Sequence, residues 1–176
     1  MLGELYGGAV ETRIANDLEE LRAWIDDAGG DDPRTIYEAA FQGSRLDTLR
    51  SRLSAAYKGL NTLVLRDGAQ DFFWKATVQK LDHEEVAIDI HHIFPKTWCE
   101  RRGIKPAVFN AIINKTPISY KANRMIGGNA PSDYLSSIQS HKHVGLSDEA
   151  MNDIIASHCI DPETLRAKDF DQFYEH

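Results

Sequence analysis

The sequence predicts a mostly helical fold with a small strand–strand–helix core and helical segments packed around it. Three observations predict this. Apolar residues recur at helical spacing through about residue 65 and again from Ser132 onward. Two short central stretches, Val86 to His91 and Lys115 to Ile118, read as strands. Prolines and glycines between them fall where helices begin or end.

In chain order, Ile14, Leu18, Leu21 and Ile25 make one face of a first helix, and "DDAGGDDP" breaks it. A second helix is expected from Ser44 to about Leu65, its stripe formed by Leu46, Leu49, Leu53, Leu60 and Leu63. Both stripes read as core. The segment "DFFWKATVQKLDHEE" carries no clear period. Pro95 keeps the first strand from continuing as a central one. Thr97 is the expected cap of a short helix that Gly103 ends, and Pro106 opens another. After a turn at Asn114 and the second strand, Ser119 caps a helix carrying Asn123 and Arg124, stopped at Gly127-Gly128. Three helices follow: Ser132 to about Ser140, Asp148 to about His158, and Pro162 to the end. Residues 1–80 read as a helical segment and 81–176 as the core with its C-terminal helices, and the two together can form one compact domain. Both ends read as cut from a longer protein.

At 176 residues the chain can bury a core, and its 42% hydrophobic and 27% charged content is that of a globular protein. No run approaches the roughly 18 apolar residues of a membrane span, and the N-terminus lacks a signal-peptide pattern. A cytoplasmic protein without membrane contact is expected. Cys99 and Cys159 stand far apart with no CxxC pair, which discourages a structural zinc domain. His83-Glu84-Glu85-Val86-Ala87 starts like a zinc-protease helix but has Ala87 where the second histidine is needed.

The formal charge of −7 argues against nucleic acid as a partner, but its distribution does not. From Lys96 to Arg124 there are seven basic residues against Glu100, a net +6, so the rest of the chain carries −13. That basic segment begins four residues after a pair of histidines in "DIHHIFPK". Side chains alternate along a strand, yet at a strand end two neighbouring imidazoles can serve one site. One can be a neutral metal ligand and the other a proton acceptor. Downstream, "NKTPISYKANR" places Asn114 and Asn123 nine residues apart, and the amide oxygen of Asn123 suits a divalent cation that also meets a phosphate oxygen.

Strand, loop, strand and helix carrying His-His, Asn and Asn resemble the ββα-metal motif of HNH nucleases in its His-Asn-Asn form, over about Asp89 to Arg124. The lead "DIHHIFP" and the spacing from Asn114 to Asn123-Arg124 resemble the HNH domains of RNA-guided CRISPR effectors. More of the chain, through "GELYGGAVETR", "SAAYKGL", "NKTPISYKANRMIGGNAPSDYL" and "SHCIDPETL", is similar to the C-terminal part of bacterial proteins that join a ParB-like NTP-using domain to an HNH domain, GmrSD-type modification-dependent restriction enzymes among them.

The resemblance implies a metal-dependent DNA endonuclease or nickase, the cleaving part of a restriction or phage-defence protein. His91 would be a metal ligand where relatives often carry Asp, and His92 the general base. Asn114 would fix the loop and help orient His92, and Asn123 would be the second metal ligand. Lys96, Lys121 and Arg124 are the candidates to hold phosphates. One divalent cation is implied, Mg²⁺ or Mn²⁺ first, with Ni²⁺ or Zn²⁺ admitted by the nitrogen of His91. DNA, a ParB-like NTP-using domain in the full-length protein and a second copy are the expected partners. The alternative is an HNH-fold module that binds nucleic acid without cleaving it.

Overall fold

A computed structural model describes residues 9–27, 30–38, 43–82 and 86–175, and the chain divides into two compact units, Met1–Arg45 and Leu46–His176. The stretch beginning at His83 lies partly outside the described residues.

In the first unit, α1 (Val10–Asp26) is followed by α2 (Arg34–Glu38). Polar links join them: the Thr35 hydroxyl donates to Asp17 at 2.5 Å, and Arg13 pairs with Glu38 at 3.1 Å. The stripe Ile14, Leu18, Leu21 and Ile25 lies on α1 as the spacing predicts, but it is not core. Leu18 and Ile25 are 67% and 66% exposed. Among the described residues of the unit, the five of α2 are too few to cover a helix of 17.

The second unit holds the core. The helix expected from Ser44 is instead a 3₁₀ turn, Gly43–Thr48, then an irregular stretch, then α3 (Ala55–Arg66). Long-range bonds claim the stretch between: the Leu49 carbonyl accepts from Ile112 N–H at 2.9 Å, and Arg52 reaches the strands. Ser54 then caps α3 by accepting from Tyr57 N–H. Leu53, part of the expected stripe, is 85% exposed on that irregular stretch, and Tyr57 carries the burial of α3.

The segment without a period is organised by Asp71. Its buried carboxylate accepts from the N–H groups of Phe73 and Trp74, closing a turn, and from the N–H and hydroxyl of Ser119. That turn seats Phe72 and Phe73 in the core. β1 (Ile88–His92) pairs antiparallel with β2 (Lys115–Ser119), with His91 opposite Thr116 and His92 opposite Lys115. Between the strands run α4 (Lys96–Arg101) and α5 (Pro106–Phe109). Thr97 does not cap α4, which starts one residue earlier; its hydroxyl lies against Gly128, where any Cβ would collide with it.

Ser119 caps α6 (Tyr120–Ile126) through Ala122 N–H, and Gly127, at φ 52° and ψ −128°, ends it in a conformation only glycine adopts without strain. α7 (Pro131–Gln139) and α8 (Asp148–Ala156) follow. The expected last helix is two, α9 (Pro162–Ala167) and α10 (Phe170–Glu175), because Lys168 turns left-handed at φ 60°. Phe94, fully buried two residues after β1, packs its ring 5.0, 5.2 and 4.9 Å from those of Trp98, Phe170 and Phe173. Burying such a side chain stabilises by about 1.5–3 kcal/mol, which anchors the end of the histidine strand.

Candidate functional site

The two histidines are the last residues of β1, a strand that runs one position further than the sequence pattern suggested. His91 shares a side of the strand with Asp89, whose Oδ2 lies 3.7 Å from His91 Nε2. That nitrogen is buried and has no hydrogen-bond partner among the described residues. Burial is the main cause holding the His91 pKa below the usual histidine range; the Asp89 carboxylate opposes the shift and the Arg52 guanidinium adds to it. The ring is therefore neutral at neutral pH.

His92 faces Asn110 and the edge of Phe109. Its Nε2 is 3.0 Å from Asn110 Oδ1. An amide oxygen can only accept, so the proton sits on Nε2 and the lone pair is left on Nδ1. Burial lowers the pKa of His92, the Asn110 bond raises it, and Lys115, Arg52 and, when protonated, His91 lower it again.

Asn114 is fully buried, and every bond of its side chain goes to backbone. Oδ1 accepts from Phe94 N–H at 2.7 Å, and Nδ2 donates to the carbonyls of Phe94 and Phe109 at 2.9 and 3.0 Å. Its own carbonyl accepts from Ile93 N–H. Asn114 thus fixes the residues after β1 against the start of β2, while the amide touching His92 is that of Asn110. Tyr134 adds a bond from its hydroxyl to the Ile93 carbonyl at 3.1 Å. On α6, a helix that contacts both strands, Asn123 is partly buried and Ala122 and Ile126 are buried. Lys121 and Arg124 are exposed on the same helix, over the rings of Phe73 and Tyr120. Lys96 is exposed on α4 and pairs with Glu100 at 3.7 Å.

Three neighbours of the histidines were not singled out by the sequence as site residues. Arg52 donates through Nη1 to Asp89 Oδ1 at 2.8 Å and through Nη2 to the Ile90 carbonyl at 2.5 Å, from 37 residues away. Lys115 stands across the ribbon from His92, its pKa lowered by burial and by Arg52. Lys115 was legible only as part of the basic stretch, and Asn110 carried no signal.

The remaining histidines do not join this site. His158 is buried, with Nδ1 2.5 Å from the Thr116 hydroxyl and Nε2 donating to the Gln70 carbonyl at 2.7 Å. The rings of His141 and His143 meet at a tilt, 5.5 Å apart, on a loop after α7. Cys99 is buried, its thiol pushed up to about 12 by burial, and Cys159 is exposed. Among the described residues no three His, Cys, Asp or Glu side chains converge as a metal cluster. A neutral imidazole with an unpartnered buried nitrogen nevertheless fits a divalent cation, since in the tautomer protonated on Nδ1 the Nε2 lone pair has no other claim on it.

No protein-family model matches the chain, and no solved structure matches it. The chain is 30% identical, over an alignment of 172 residues that covers 93% of the chain, to the uncharacterized protein MJ0686 of Methanocaldococcus jannaschii. It spans 29% of that relative's length. Among the described residues no helix is long and apolar enough to cross a membrane.

Proposed function

We propose that the chain is a metal-dependent DNA endonuclease that hydrolyses or nicks phosphodiester bonds at a ββα-metal site. The observation that carries this reading is the buried, unpartnered Nε2 of His91 beside a second neutral histidine whose Nδ1 is left free. His91 and Asn123 would hold one divalent cation, Mg²⁺ or Mn²⁺ before Ni²⁺ or Zn²⁺. When bound, that ion supplies Lewis-acid neutralisation of charge on the phosphate and the departing 3′ oxygen.

His92 Nδ1 takes a proton from the water that attacks phosphorus in line, as the bond to the 3′ oxygen breaks. Asn110 keeps the other ring proton on Nε2, so the tautomer is set before the substrate arrives. Asn114 acts one step back, locking the strand end from which His92 projects. Lys96, Lys121 and Arg124 hold flanking phosphates; their exposure suits contacts that add affinity and salt dependence rather than chemistry. In the full-length protein we place this site with a ParB-like NTP-using domain, as the cleaving part of a restriction or phage-defence system in the cytoplasm. A pair of copies would be needed to cut both strands.

Supercoiled plasmid, modified and unmodified, incubated with the protein across Mg²⁺, Mn²⁺, Ni²⁺ and Zn²⁺ tests the reading. His92→Ala is expected to slow nicking by about 10²–10⁴-fold, the usual worth of a general base. Cleavage by His92→Ala at the wild-type rate would sink the mechanism.

A further inference from the structure

The ligands proposed above, an imidazole and a carboxamide, are both neutral. A divalent cation that gives up hydration for a half-buried position needs negative charge as well as lone pairs. The carboxylate beside His91 is Asp89, two residues earlier on the same side of β1.

The two oxygens of Asp89 are used differently. Oδ1 accepts from Arg52 Nη1 at 2.8 Å and from the Ile90 N–H at 2.7 Å. Oδ2 has no hydrogen bond among the described residues and faces His91 Nε2 at 3.7 Å. That distance is too long for a hydrogen bond. Two donors bound side by side to a small divalent cation stand roughly 3 Å apart, so a side-chain shift of under about 1 Å brings this pair to chelating distance. Ligating carboxylates are themselves held by hydrogen bonds, and Arg52 with the Ile90 N–H holds Asp89 in that way, one oxygen fixed and the other open. As a plain surface ion pair, with both side chains about half exposed, Arg52 and Asp89 would contribute little.

We infer that Asp89 Oδ2 and His91 Nε2 chelate one divalent cation, with Asp89 supplying the negative charge that the neutral ligands lack. This rests on His91 being a ligand and adds a ligand which that reading does not contain. One carboxylate oxygen and one imidazole nitrogen favour Mn²⁺ or a similar ion over a purely soft or purely hard choice.

The experiment is metal binding by the full chain without DNA. Mn²⁺ is followed through loss of the free-ion paramagnetic resonance signal, Ni²⁺ by calorimetry, and folding of each variant by its thermal melt. Asp89→Asn keeps an acceptor for Arg52 and removes the charge. It is expected to weaken Mn²⁺ at least tenfold and Ni²⁺ less, because Ni²⁺ leans on the imidazole. Equal losses for both ions would mean that Asp89 acts only by orienting His91, and chelation would be wrong. Wild-type affinity in Asp89→Asn with loss in His91→Ala would overturn the role of Asp89 and leave His91 a ligand. No Mn²⁺ uptake by the wild type would overturn both. A measurement without any variant settles the case in which Asp89→Asn does not fold: substoichiometric Mn²⁺ should broaden the Asp89 side-chain carboxyl carbon resonance in the wild type. A sharp resonance there overturns the chelate.

Discussion

Asn114 shows how one buried side chain can hold a site without touching its chemistry. Three buried backbone groups, the N–H and carbonyl of Phe94 and the carbonyl of Phe109, bond to one carboxamide, and the Phe94 carbonyl also accepts from the Cys99 thiol. Asn114→Ala leaves the Phe94 N–H and the Phe109 carbonyl unsatisfied, and each such group costs about 1–3 kcal/mol. The urea midpoint is therefore expected to fall by an amount equal to roughly 2 kcal/mol or more. An unchanged midpoint would mean that water replaces the amide. The sequence offered Asn114 as a residue that fixes a loop, and its spacing to Asn123 was readable because both lie within one compact supersecondary unit. Asn110 was not readable in the same way, since only the folded loop brings its oxygen to His92.

At the scale of elements, the β ribbon is tied to its surroundings by polar side chains as much as by packing. Asp71 grips the start of α6 through Ser119, and His158, just past α8, grips β2 through Thr116 while holding the Gln70 carbonyl. The Gln70 carbonyl can only accept, so neutral His158 satisfies both partners with its proton on Nε2. Burial lowers its pKa in the folded state, and the Gln70 bond and the Asp71 charge offset part of that shift. The unfolded chain then binds a proton below about pH 6.5 that the folded chain refuses, so stability should fall as pH drops from there, by up to about 1.4 kcal/mol per unit. Half-buried His91 and His92 act with the same sign, so the contribution of His158 is the difference between wild type and His158→Asn. Urea midpoints at pH 5.5 and 7.5 measure it; an identical pH slope in the two proteins would count against this account. The strands, the Ser119 cap and the stop at Gly127 were legible because each depends on a few adjacent residues, whereas Thr97 is not the cap it was expected to be, because its helix starts one residue earlier, directly after Pro95. The break before α3 was not, because bonds from Ile112 and to β1 overrode a helical period in the sequence.

For the whole molecule, the main departure is α1. Its apolar stripe has the right period, and period alone tells which residues share a face, not whether anything covers that face. Charge behaves in the opposite way. The net −7 hides a basic segment whose lysines and arginines emerge on α4 and α6, on either side of β2 in sequence, with a further cation, Lys115, across from His92. The proposed catalytic and binding residues thus gather in the second unit, on elements whose hydrophobic sides converge on Phe94, Ile118 and Tyr134.

The two thiols give that unit a clock. Cys159 is exposed, whereas Cys99 is buried against the Phe94 carbonyl, with its pKa raised to about 12 by burial. A thiol reagent should modify Cys159 at once and Cys99 only when α4 lifts away from Phe94, so the slow phase times the opening of the segment that supports His92. Divalent metal is expected to lengthen that phase, and identical slow phases with and without metal would show that the cation does not bind the closed form in preference. Cys99, chemically silent in the folded protein, becomes a reporter of how long the strand end stays shut.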